Sequence, residues 1–67
     1  MAKVYVVLEI EDATADELRK AVHDYDEQMA PGEAVAIDKV NAYDVVGMIY
    51  SGHITFSERV LESRIED

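Results

Sequence analysis

The sequence predicts a small α/β (α+β) fold of order β-α-β-α-α with a small sheet, and three observations carry that expectation. Residues 3–11 alternate apolar and polar side chains with a period of two. Residues 14–30 place apolar side chains at helical spacing behind a capping sequence. A second short apolar alternation, AVAIDKV at 34–40, follows the Pro31-Gly32 stop. The runner-up order is β-α-β-β-α, ferredoxin-like, with the tail folded as a hairpin.

In the first strand, Val4, Val6, Leu8 and Ile10 point one way, and Lys3, Tyr5, Val7, Glu9 and Glu11 the other. Its β-branched content suits a half-buried strand. Thr14 and Glu17 then form a capping box, each able to satisfy an amide that the first helical turn leaves free. Asp16 and Glu17 also suit the positive end of the helix dipole. Leu18, Ala21, Val22, Tyr25 and Met29 fill one arc of this helix, with Asp16, Lys20, His23 and Glu27 opposite. The 34–40 segment reads as a second strand with Val35 and Ile37 inward. Strand, helix and strand together imply a right-handed βαβ unit with parallel strands.

The junction Ser51-Gly52-His53 decides the rest. Asn41 caps a helix from about Ala42 to Ser51, with Asp44 in its first turn. Gly52 suits the left-handed position that ends a helix, and Ile54 supplies the apolar contact after it. Thr55-Phe56-Ser57-Glu58 repeats the capping-box pattern, so a final helix is expected. The helix from Ala42 is apolar almost all round, which predicts a central, buried element. The final helix would carry two apolar stripes, Phe56/Val60 and Leu61/Ile65, and one of them would be left over. A hairpin across Ser51–His53 is the alternative.

Length and composition bound the function. The chain has 67 residues and is read as a single acidic domain, 1–67. A core this small is marginal without a disulfide, a metal or a partner chain. There is no cysteine, which removes disulfides and thiolate metal sites and suits a reducing cytoplasm. The opening MAKVYVVLEIED is too short an apolar run for a membrane span. The net charge is −9, and the segment Glu9–Asp44 alone holds eleven acids against three bases. Such a field repels nucleic acid and anionic membranes and attracts basic surfaces. Direct nucleic-acid or membrane binding is therefore not expected.

Catalytic chemistry finds little support. Ser51 and His53 are neighbours, but no nucleophile-elbow pattern surrounds them. His23 and Glu27 are four apart on one helix face, too few ligands for a dedicated metal site. The paired carboxylates fall at caps, on solvated faces or at the tail, where general acid–base work has no burial to raise a pKa. The three glycines are too widely spaced for a phosphate loop. No enzyme activity, cofactor or metal is expected.

Two readings of the function remain. In the first, a non-enzymatic interaction protein docks an acidic face, chiefly Asp16, Glu17, Asp24, Asp26 and Glu27, on a basic protein surface, as an inhibitor or a mimic of nucleic-acid charge. In size and charge alone, the chain resembles bacteriophage accessory proteins that redirect host machinery. In the second, it is a homo-oligomeric assembly module, with Tyr5, Leu61 and Ile65 as its contacts.

Overall fold

A computed structural model describes residues 1–67. It is an α+β fold with a two-stranded antiparallel sheet and two helices. Strand β1 spans Lys3–Ile10, as its alternation requires. Helix α1 spans Ala15–Met29 and starts at the predicted box: Thr14 Oγ1 accepts from the Glu17 amide at 3.2 Å, and Glu17 Oε1 accepts from the Thr14 amide at 3.3 Å. Pro31 and Gly32 end it, with Gly32 at φ +83° and its amide donating to Glu27 Oε1 at 2.8 Å.

Helix α2 spans Ala42–Tyr50 behind a reciprocal Asn41/Asp44 box. It ends as glycine demands. The Gly52 amide donates to the Ile49 carbonyl at 3.1 Å, and the His53 amide donates to the Met48 carbonyl at 3.0 Å. Gly52 sits at φ +81°, a conformation in which a Cβ is strained whatever the space around it.

Two predicted elements differ from the structure. Residues 34–40 do not form a strand, so there is no parallel βαβ unit. The segment is extended and then closes into a 3-10 turn at Ile37–Lys39. Val35 and Ile37 are exposed, and Val40 turns inward instead. A lone extended segment has no ladder to join, and here the His23 ring binds the Val35 carbonyl where a sheet partner would be. The second difference is the tail. The helix expected after Thr55 is strand β2, Glu58–Glu66, which pairs with β1. Tertiary pairing overrides the T-F-S-E cap signal, because β1 is an apolar strand that needs a neighbour. The element order is therefore β1, α1, 3-10 turn, α2, β2, and the tail hairpin is absent.

The register sorts the sheet into two faces. Val4 lies opposite Ile65, Val6 opposite Ser63 and Leu8 opposite Val60 on one face. Lys3 lies opposite Glu66, Tyr5 opposite Arg64, Val7 opposite Glu62 and Glu9 opposite Arg59 on the other. Val60 and Ile65 are five apart and would fall on opposite faces of a regular strand. A bulge at Leu61, between the Val7 and Leu8 pairings, inserts the extra residue that brings them together. Beyond the strand ends, the Glu11 amide donates to the Ser57 carbonyl, and Asp12 Oδ1 accepts from the Ser57 amide at 2.9 Å.

The helices lie on the apolar side of β1, where Val6, Leu8 and Ile10 line one cleft with Leu18 of α1 and Val45 and Val46 of α2. The core is small. Only Val22, 1% exposed, and Val40, 7% exposed, are fully buried. Contrary to the expectation from its composition, α2 buries no residue completely, and Tyr43 and Tyr50 stand in solvent. No helix is long and apolar enough to cross a membrane.

Candidate functional site

The chain presents more surface than a closed monomer of its mass. Its accessible surface is 5041 Å², where 7.5 kDa of compact protein presents about 4,200 Å². Its radius of gyration is 13.1 Å, against about 11 Å for a compact chain of this length. The excess is concentrated where the ribbon extends beyond the helices. Val4 is 70% exposed and Ile65 77%, and they lie directly opposite one another. Val6, Val60 and Leu61 are also exposed. Beside β1, Tyr43 of α2 is 86% exposed and, with Ala42 and Val46, borders Val4 and Val6 in an open trough lined only by apolar residues.

The opposite face of the ribbon is a closed charge ladder. Arg59 meets Glu9 at 2.9 Å and Glu11 at 3.8 Å. Arg64 lies 4.2 Å over the Tyr5 ring and is held by Glu62 and by Glu66, the latter at 3.0 Å. Tyr5 is thus half-buried under an arginine, while Leu61 and Ile65 are open. The three residues expected to make self-association contacts lie on one ribbon, but Tyr5 is on the charged face and Ile65 on the apolar face.

Four of the five acidic residues of α1 have local partners. Asp16 pairs with Arg19 at 3.0 Å, and Asp24 pairs with Lys20. Glu17 completes the Thr14 box, and Glu27 holds the Gly32 amide. Asp26 is half-buried and makes no side-chain hydrogen bond. The four partnered carboxylates stabilise the helix and its ends.

The two histidines and Ser51, at the C-terminal end of α2, also have structural roles. His23 Nδ1 lies 2.8 Å from the Val35 carbonyl and ties the 34–40 segment to α1. His53 stacks on Tyr25, with ring centroids 4.8 Å apart and Nδ1 3.2 Å from the tyrosine hydroxyl. Ser51 Oγ donates to the Met48 carbonyl at 3.1 Å, so its proton is committed to the end of α2.

Sequence reasoning missed Val4, Val6, Val60 and Tyr43 as surface residues. The signal for the strand was present: from Glu62 to Glu66, charged Glu62, Arg64 and Glu66 alternate with Ser63 and Ile65 at a period of two. Comparison with protein-family models, with curated proteins and with solved structures returns no match for this chain.

Proposed function

We propose that this chain is a non-enzymatic interaction module that works as an assembly of its own copies. The observation that supports this reading is the open apolar face of the ribbon, together with the surface excess of the lone chain. That excess is about 800 Å², the area one partner contributes to a standard protein–protein interface. A two-stranded ribbon with an uncovered apolar face is marginal in water, and a second copy supplies the cover without disulfide or metal. The cysteine-free composition suits work in the cytoplasm. Sedimentation equilibrium is expected to give twice the 7.5 kDa chain mass at micromolar concentration. A monomer at several hundred micromolar would remove the reading.

A second reading is favoured by one feature of the charge distribution. Four of the six cations, Arg19, Lys20, Arg59 and Arg64, are closed in ion pairs, and between Lys20 and Arg59 only Lys39 is basic. The helical side is left acidic, and as an assembly the module would dock that side on a basic protein, as a charge-mimicking inhibitor does. A partner captured from lysate at low salt is expected to be lost at about 1 M salt, where the screening length falls to about 3 Å. Retention at high salt would sink the charge-driven version.

A further inference from the structure

We infer that two copies pair through the free edge of β1, antiparallel about Val6, and build a four-stranded sheet in the order β2, β1, β1 of the second copy, β2 of the second copy. This inference rests on the self-assembling reading and names its interface. The sheet has two strands, so each has one unpaired edge. The two edges are not alike. β2 carries Glu58, Arg59, Glu62, Arg64 and Glu66 and is interrupted by the Leu61 bulge, the devices that keep an edge strand from pairing. From Val4 to Leu8, β1 has no charge, proline or bulge and is apolar on both faces, the pattern of a strand with neighbours on both sides.

Charge complementarity selects the register. A two-fold axis perpendicular to the sheet keeps both apolar faces on one side, so only residues of like parity can lie opposite each other. With the axis at Val6, Lys3 falls opposite Glu9 of the second copy, and Val4 falls opposite its Leu8. The existing register extends each row across four strands. One row reads Arg59, Glu9, then Lys3 and Glu66 of the second copy, alternating in sign throughout. Another reads Ile65, Val4, then Leu8 and Val60 of the second copy, apolar throughout. An axis at Tyr5 leaves Lys3 opposite a valine. An axis at Val7 brings Glu58 of the second copy into the apolar row. The Val6 register also sets each copy's open end, Val4 and Ile65, beside the Leu8 end that the other copy's helices cover. No residue of β2 lines the trough that Val4 and Val6 share with Ala42, Tyr43 and Val46, so the trough flanks the edge where the second strand would enter.

The chain has no cysteine, so single introduced thiols report proximity cleanly. The test compares Val6→Cys with Ser63→Cys under mild oxidation, after the mass of the unmodified protein is measured. Residues directly opposite in an antiparallel pair have Cβ atoms about 4.5–5.5 Å apart, close enough to bridge with small adjustments. Both positions are exposed, and circular dichroism checks that each variant is folded. The expected result is a covalent dimer from Val6→Cys, formed several-fold faster than from Ser63→Cys. The rival β2 edge, paired about Ser63, sets Glu62 opposite Arg64 and predicts the reverse order. A dimeric protein that bridges at Ser63, or at neither position, overturns the β1 interface and leaves self-assembly standing. A monomeric protein overturns both.

Discussion

Val22→Asp abolishes cooperative unfolding. Val22 lies on the inner side of α1, is 1% exposed, and has only Val40 for company among fully buried residues. A carboxylate there joins Asp26 and Asp44, which line the same recess, and burying a charge costs several kcal/mol. A chain of this size draws only about 3–5 kcal/mol from its core, so that cost consumes the whole stability. Far-UV circular dichroism on heating is expected to show a broad, featureless slope in place of a transition. Val22→Ala is the graded control. It removes two methyl groups and leaves a cavity, for a cost of about 2 kcal/mol and a lower midpoint with the transition intact. A wild-type midpoint for Val22→Asp would mean that the fold does not depend on this contact.

Deleting one residue from β2 has opposite consequences at two neighbouring positions. Removing Leu61 takes out the bulge. Val60 then follows directly into Glu62, both keep their partners Leu8 and Val7, and every side chain stays on its present face. The melting midpoint is expected to stay within a few degrees of wild type. Removing Ser63 allows no such repair. With the bulge kept, Arg64 and Glu66 move to the apolar face opposite Val6 and Val4; with the bulge absorbed, Glu62 moves there instead. Either way a charge enters the apolar face of the ribbon, because a slip of one residue exchanges the two faces of a strand. The loss is expected to exceed about 2 kcal/mol, seen as a midpoint lower by roughly 10 °C in thermal melts of a chain this short. Equal effects of the two deletions would mean that the bulge does not set the faces.

What was legible in the sequence was local. Thr14 with Glu17, Asn41 with Asp44, and Gly52 each act within a few residues, so their hydrogen bonds can be read from spacing alone. The tail was not legible in that way, because Glu58–Glu66 becomes a strand only through a partner some fifty positions earlier. The two opposed apolar stripes of the expected final helix were a warning, since a helix that splits its apolar residues buries neither set well. The bulge at Leu61 brings Val60 of one stripe and Ile65 of the other onto one strand face, and no local rule places a bulge. The 34–40 segment fails for the complementary reason. Its alternation is real, but no strand lies beside it. Among the candidate contacts, Leu61 and Ile65 are open on the ribbon, while the acids of α1 are largely occupied in caps and ion pairs. A carboxylate's place in the sequence shows its charge but not whether a neighbouring amide already uses it.

The pairing of β1 with β2 also sets a timetable. Helices α1 and α2 carry their own start signals and can form as soon as they are made, but β1 must wait for β2, the last element of the chain. At ordinary rates of synthesis that delay is on the order of seconds, and closing so long a loop slows the final step further. Throughout it, the most adhesive segment of the molecule has neither of its edges occupied. A nascent chain is then as ready to accept the β2 of a neighbour as its own. Slow, crowded synthesis therefore favours strand-exchanged pairs, and dilution during refolding favours chains that close on themselves.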